Sequence, residues 1–209
     1  MMAGYVLYGK PGFGSAVVEA ACAEAGVDYA FVATEKGAGG VYGAEFLALN
    51  PRGQVPVLVL PDGSAMTETA AMLLHLADAF PAAGLAPVPG SPARAQHDRW
   101  LTFIHANIYE AILRLNYPDR YVSDPAAAPA VREAAITSAQ WHFELFEGAL
   151  GAGPYLFGAR LSMVDLYAWM LAGWVAQAPL AAACPKVMRL CAAVAGRPAL
   201  AGVIARNAD

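Results

Sequence analysis

The stretch that decides the fold is Gly53-Gln54-Val55-Pro56-Val57-Leu58-Val59-Leu60, followed after a Pro61-Asp62-Gly63 turn by Met66-Thr67-Glu68-Thr69. A β-branched run that opens with proline predicts a short strand, because the start of a strand tolerates a missing N–H. X-Pro is also the bond at which a cis peptide costs least. A cis Pro56 leaves the backbone N–H and C=O of Val55 outside the sheet, where an extended peptide can pair with them.

The segment after the turn predicts a helix that follows Thr67-Glu68-Thr69. Apolar residues recur there at helical spacing, at Met72, Leu73, Leu76 and Ala77. The preceding Thr67-Glu68-Thr69 supplies residue types that cap helices. The free N–H groups of a helix start can hold a carboxylate, and the Glu68 side chain can hold an ammonium group. Strand edge and helix start together predict a site for a small peptide.

The order of these elements resembles that of the soluble glutathione transferase family, and the resemblance covers the whole chain. Asn50-Pro51-Arg52-Gly53-Gln54-Val55-Pro56 followed by Glu68-Thr69 looks like that family's glutathione-site signature, with Thr69 where serine is commoner. The resemblance implies an α/β thioredoxin-like N-terminal domain plus an all-α C-terminal domain. It also implies that the Val55 backbone pairs with the cysteinyl part of glutathione and that Glu68 and Thr69 grip the γ-glutamyl head. Gln54 and Pro56 belong to the same predicted glutathione-binding set.

The domain boundary is predicted at a segment rich in proline and glycine, residues 81–92. We therefore expect a glutathione-binding domain over 1–82, a linker over 83–92 and a helical domain over 93–209. The patterns predict strands at 5–8 and 29–32, a helix at 15–25, a short helix or loop at 44–49, and later helices near 93–116, 129–150, 162–177, 184–195 and 198–206. Ser162-Met163-Val164-Asp165 matches a helix capping box, whose implied role in the family is in folding.

Charge and hydropathy exclude some classes of function. The net charge of -4 with a pI near 5.5 argues against a nucleic-acid partner, since no basic stripe can neutralise phosphates. Residues 166–185 carry no charge and are long enough to span a bilayer, but Gly173, Gln177 and Pro179 interrupt them. We interpret this stretch as a buried helix and expect no membrane partner.

Cysteine and histidine usage predicts a reduced, metal-free cytoplasmic protein. The three cysteines form no CxxC pair, and Met1 to Gly4 show no secretion signal. Cys22 shares a helical face with Val18 and Ala25, so we expect it in the core. The four histidines have no metal-ligand spacing.

The loop from Tyr8 to Ser15 is the predicted place of thiol activation. It looks like the Pro-Gly-Ala-Cys-Ser loop of bacterial beta-class enzymes, but Gly14 occupies the cysteine position, which puts chemistry of the mixed-disulfide type in doubt. A thiol with a pKa of about 8.5 needs about 1.4 to 2.7 kcal/mol of preferential thiolate stabilisation. A helix start gives only about 0.3 to 1 kcal/mol, so a hydrogen-bond donor is required. Ser15 and Tyr8 are the candidates; their alternatives are an ordinary helix cap and a core aromatic.

Four further side chains complete the predicted site. Lys36 can pair with the glycine carboxylate of glutathione, as a lysine does in beta-class enzymes, or be a solvated surface residue. Phe13, Asn107 and Tyr109 are expected to face the electrophile. Ala106-Asn107-Ile108-Tyr109 resembles bacterial relatives, and Tyr109 falls where beta-class enzymes carry a cleft histidine. Core packing is the alternative for Tyr109.

These observations and the resemblance predict a cytoplasmic, homodimeric glutathione transferase that acts in detoxification. Its co-substrate is glutathione, and its second partner is a small hydrophobic electrophile. A glutathione-dependent peroxidase or disulfide reductase is the alternative within enzymes. A non-catalytic protein that binds glutathione or another ligand is the alternative outside them, because the loop lacks the beta-class cysteine.

Overall fold

The computed structural model describes residues 4–37 and 40–208. Met1 to Ala3, where the sequence predicts no secretion signal, lie outside that part. The chain divides into two compact units, residues 1–86 with 197–209, and residues 87–196. Residues 197–208, which the predicted helical domain includes, therefore belong to the first unit. The functional boundaries 1–82, 83–92 and 93–209 stay a prediction.

The first unit is an α/β structure and the second is helical, as the sequence predicts. In the first unit the elements are β1 (Tyr5–Gly9), α1 (Ser15–Ala25), β2 (Tyr29–Ala33), α2 (Ala44–Leu49), β3 (Val57–Val59), β4 (Ala65–Met66), α3 (Thr69–Ala79) and, near the C-terminus, α10 (Ala201–Arg206). In the second they are α4 (Pro92–Phe103), a π-helical segment (Ile104–Tyr109), α5 (Glu110–Asn116), α6 (Ala128–Ala149), α7 (Met163–Ala172), α8 (Gln177–Ala183) and α9 (Pro185–Ala195). Short 3-10 turns occupy Pro81–Ala83, Pro118–Tyr121, Pro125–Ala127 and Pro198–Leu200.

The sheet has the order β2-β1-β3-β4. β1 runs parallel to β2 and antiparallel to β3, which pairs Leu7 with Leu58, and β3 is antiparallel to β4. Leu7, Leu58 and Cys22 of α1 are fully buried, so the prediction that Cys22 belongs to the core is confirmed. α1 ends at Ala25 as predicted, and Gly26 follows as its C-cap, where φ of 65° suits a residue without a side chain.

The second unit departs from the sequence prediction at two helices. The predicted helix over 93–116 is continuous but contains the π-helical segment Ile104–Tyr109. The predicted helix over 162–177 was too long, because α7 ends at Ala172. The Gln177 side chain donates to the carbonyl groups of Ala172 at 2.8 Å and Val175 at 2.9 Å, which satisfies the end of α7 while α8 starts at Gln177 itself.

The predicted capping box at the start of α7 is confirmed. Asp165 accepts hydrogen bonds from the Ser162 N–H at 2.8 Å and the Ser162 hydroxyl at 2.6 Å. Its other oxygen accepts from the N–H of Leu156 at 2.8 Å. Burial is the largest influence on this carboxyl and raises its pKa from 3.8 to about 6, although the hydrogen bonds act in the opposite direction.

The long uncharged stretch does not form one straight apolar helix. Over residues 4–37 and 40–208 no single helix has the length and apolar character to cross a membrane. Helices α8 and α9 reach that length and composition only as a pair, with a bend of 116° between them.

Candidate functional site

Asn50 organises the loop that precedes β3. Its buried side chain donates to the Gln54 carbonyl at 2.7 Å and accepts from the Arg52 N–H at 3.1 Å. The Gly53 N–H donates to the Asn50 carbonyl at 2.9 Å, and Gly53 adopts φ of 58°, a conformation that favours glycine. The loop is therefore fixed by its own first residue.

The loop ends at a cis Val55-Pro56 bond. This is the isomer for which the sequence predicts that the N–H and C=O of Val55 lie outside the sheet. Within the described residues, no hydrogen bond engages the N–H or C=O of Val55. The Val55 side chain packs against a buried cluster of Tyr42, Phe46 and Val57, which we call the Tyr42 cluster. The side chain is thereby anchored while the main chain can still pair with a ligand.

Glu68 has a strained backbone at the start of α3. Its φ of 65° and ψ of 101° make it the one residue other than glycine with a positive φ in the described part of the chain. Such a conformation costs about 1–3 kcal/mol and is concentrated at ligand sites. The Glu68 carboxylate lies 3.0 Å from the Arg52 guanidinium, and both side chains are at least half exposed. A negative and a positive group therefore stand together beside the first turn of α3.

Thr69 begins α3 and is buried. No side chain caps this helix at Glu68, so the N–H groups of its first turn are not used by a cap. The predicted residues Gln54, Val55, Pro56, Glu68 and Thr69 all lie in the first unit. The Arg52 contact with Glu68 is what the sequence analysis missed there.

Ser15 is fully buried and its hydroxyl is already engaged. It donates to the Lys10 carbonyl at 2.9 Å and accepts from the Lys10 N–H at 3.2 Å. A side chain on Gly9 would come within 2.4 Å of the Ser15 Cβ, so glycine is needed where β1 approaches α1. In this conformation Ser15 closes the loop, and donation to a thiolate requires it to release Lys10.

Tyr8 at the end of β1 is half-buried and packs beside the Tyr42 cluster, as Val55 does. Its ring lies 6.1 Å from that of Phe46, between centroids. Over the described residues its hydroxyl has no hydrogen-bond partner, so it can donate to a ligand without breaking an existing bond. Lys36 is also near this cluster, with its ammonium 5.6 Å from the centre of the Tyr42 ring.

Phe13 lies in the first unit and its side chain is exposed, with the Lys10 ammonium 5.3 Å from the ring centre. Neither feature assigns it a ligand. Its role beside the electrophile stays a prediction.

Asn107 and Tyr109 lie on the π-helical segment of the second unit. The Asn107 amide donates to the Phe103 carbonyl at 3.0 Å. Tyr109 stacks on His105 with 5.8 Å between ring centroids and 18° between planes, and it also contacts the rings of Tyr167 and Trp174. His105 Nδ1 is 2.8 Å from the buried Tyr167 hydroxyl. Single π turns are frequent at functional sites, but the sequence carries no local signal for one.

The chain's own cysteines are poor nucleophiles. Burial raises the pKa of Cys22 to about 12, of Cys184 to about 11 and of Cys191 to about 12. Thiols in this state are neutral at physiological pH and react slowly. No group of three or more histidine, cysteine or acidic residues suited to a metal occurs in residues 4–37 and 40–208.

Comparison with known proteins finds relatives along most of the chain. Residues 15–79 match the family model described as the glutathione S-transferase N-terminal domain, and residues 129–206 match the C-terminal domain model. The GST-like protein YncG of Escherichia coli K12, itself uncharacterized, is 34% identical over 80% of each chain. Glutathione S-transferase GstA of Escherichia coli O157:H7 is 29% identical over 80% of this chain and 81% of that protein.

Solved structures agree with the sequence comparisons. A sphingomonad glutathione S-transferase complexed with glutathione is 30% identical, with a TM-score of 0.81 over 97% of this chain and 98% of that one. A glutathione transferase homologue from Sulfitobacter with bound glutathione is 27% identical, with a TM-score of 0.86 over 97% of each chain.

Proposed function

This chain belongs to the glutathione S-transferase family, and we propose that it binds reduced glutathione and transfers it to a small hydrophobic electrophile. The observation that carries the proposal is the strained Glu68 at the start of α3, with its carboxylate beside Arg52. A strained backbone is typical of ligand sites, and here it would hold the Glu68 carboxylate towards a ligand.

The charges at this site suit the γ-glutamyl head of glutathione, which carries one ammonium and one carboxylate group. Glu68 supplies the partner for the ammonium, and Arg52 with the first-turn N–H groups at Thr69 supplies partners for the carboxylate. The open N–H and C=O of Val55 pair with the cysteinyl backbone. Lys36 attracts the glycine carboxylate, while Gln54 and Pro56 shape the loop below the peptide.

The reaction begins when the glutathione thiol loses its proton to solvent. The thiolate then attacks an electrophilic carbon, so that a C–S bond forms and a leaving group departs with its electron pair. The protein must lower the thiol pKa by about one to two units, which a hydrogen bond to the charged sulfur can supply. We assign that bond to Tyr8 in preference to Ser15, because the Ser15 hydroxyl already donates to Lys10.

Asn107, Tyr109 and Phe13 are proposed to contact the electrophile. The support for Tyr109 is its place in an aromatic group on a π-helical segment, with Trp174 and Tyr167 beside it. Aromatic faces suit flat apolar molecules.

Calorimetry with reduced glutathione tests the binding proposal. Wild-type protein should bind, and Glu68→Gln should weaken binding by about 2 to 4 kcal/mol, because the ligand ammonium loses a charged partner. Glu133→Gln, an exposed change on α6, is the matched control and should leave the affinity unchanged. No heat at millimolar glutathione, or equal affinities for Glu68→Gln and wild type, would contradict the proposal.

We also propose that the protein is a cytoplasmic homodimer that acts in detoxification, on the strength of the family membership and the charged fraction of 14%. Sedimentation at micromolar concentration should give twice the chain mass of 21.8 kDa, and the single chain mass would contradict the dimer. Cell fractionation tests the location. Loss of the gene should lower tolerance to electrophiles that the purified protein conjugates, and unchanged tolerance would count against the detoxification role.

A further inference from the structure

A buried carboxylate in the first unit gathers the C-terminal segment onto α1. Glu19 is fully buried, and its carboxylate accepts hydrogen bonds from Arg206 at 2.5 Å, Asn207 at 3.2 Å and the Tyr29 hydroxyl at 3.2 Å. A buried carboxylate is costly without a charged partner, so Arg206 has a clear electrostatic task. Asn207 does not serve that task, because it carries no charge.

Asn207 instead connects the segment to the loop between β1 and α1. Its Oδ1 accepts from the Gly12 N–H at 2.9 Å. Its amide nitrogen donates to Glu19 and, at 2.9 Å, to the carbonyl of Val203. Because both of these partners are acceptors, they fix the orientation of the amide and turn Oδ1 towards Gly12.

The loop is thus held at two separate points. Ser15 holds the Lys10 end through both of its hydrogen bonds, and Asn207 holds Gly12, whose φ is 76°. The loop leads to the uncapped first turn of α1 at Gly14. The first turn of α1 is bonded to the same loop, since the Ala16 N–H donates to the Phe13 carbonyl at 3.0 Å. We therefore expect a displacement of Gly12 to shift that turn.

We propose that Asn207 is a positioning residue for the thiol site, acting through Gly12 to hold the start of α1 against the glutathione sulfur. The inference rests on the proposed function. Asn207, at the end of α10, thereby supports the loop between β1 and α1 although it lies 195 positions from Gly12 in sequence.

The structure supplies a matched control. Arg197 binds Glu24 of α1 through two hydrogen bonds, at 2.5 and 2.6 Å, and so tethers the same segment without touching the loop. Asn207→Ala keeps this tether and the Arg206 contact with Glu19, so the segment should stay docked. Arg197→Ala removes a tether and leaves the Gly12 contact in place.

The test measures the pKa of the bound thiol, the exchange rate of the Gly12 amide hydrogen, and the melting temperature. Asn207→Ala should raise the thiol pKa by about half a unit, lower kcat at neutral pH about threefold and speed Gly12 exchange about tenfold, with KM for glutathione unchanged. Arg197→Ala should lower the melting temperature and leave the thiol pKa at the wild-type value.

Two results would overturn the inference alone: an unchanged thiol pKa in an Asn207→Ala protein that binds glutathione normally, or an equal shift in Arg197→Ala. Wild-type protein that binds no glutathione would overturn the proposed function and this inference with it. The Gly12 exchange rate then still shows whether Asn207 holds the loop, so the two failures can be told apart.

Discussion

Replacing Tyr8 by phenylalanine removes one hydroxyl and leaves the packing of its ring on Phe46 intact. We expect the variant to fold with nearly wild-type stability, since the hydroxyl of this half-buried residue has no hydrogen-bond partner among the described residues. Its effect should fall on the bound ligand. Without the donor, the glutathione thiolate loses a charge-assisted hydrogen bond.

The size of the effect follows from that bond. A hydrogen bond to a charged group contributes about 1.5 to 3 kcal/mol, and each pKa unit corresponds to about 1.4 kcal/mol. Tyr8→Phe should therefore raise the pKa of bound glutathione by about one to two units. At neutral pH the thiolate fraction, and with it kcat, should fall about tenfold or more.

Ultraviolet absorbance of the thiolate, titrated against pH in the complex, measures this shift directly. Ser15→Ala is the comparison, because it removes both hydrogen bonds to Lys10 and should destabilise the fold by about 1–3 kcal/mol while changing the thiol pKa less than Tyr8→Phe. The reverse pattern, a raised thiol pKa in Ser15→Ala and none in Tyr8→Phe, would refute the assignment and return the role to Ser15. A wild-type complex that titrates at the pKa of free glutathione would show that neither residue activates the thiol.

Three further outcomes can be checked. Arg52→Ala should weaken glutathione binding by about threefold to tenfold, less than Glu68→Gln, and calorimetry should show the loss shrinking at high salt, because this pair is exposed; tighter binding would contradict the assignment. Burial raises the folded pKa of Asp165 from 3.8 to about 6, so this group's contribution to stability is full below pH 3.8 and is lost as the pH rises through about 6. Asp165→Asn should remove this pH dependence. The free energy of unfolding lost through the substitution, measured with denaturant, should therefore be larger at acid than at neutral pH, and an equal loss at both would contradict the prediction. Finally, the native cysteines, with pKa values near 11 to 12, should resist alkylation at pH 8 until the chain is unfolded, whereas rapid labelling of Cys22 would mean that it is not buried.

The sequence by itself determined the features that depend on a few neighbouring residues. The Gly26 cap of α1 and the Ser162–Asp165 capping box each follow from residues within one or two turns. The helical spacing of apolar residues in α3 is similarly local. The loop over residues 50–56 also belongs here, because the side chain of its first residue, Asn50, donates to the carbonyl of Gln54 four positions on.

Only the tertiary structure decided which groups meet across the chain. Nothing near Glu68 in the sequence shows that Arg52, 16 positions earlier, lies beside it. The contact of Asn207 with Gly12 joins residues that no periodicity relates. Local patterns report the hydrogen bonds and burial that a segment can arrange for itself. The direction of a side chain such as that of Asn207 is set by distant donors and acceptors that the folded core brings within about 3 Å.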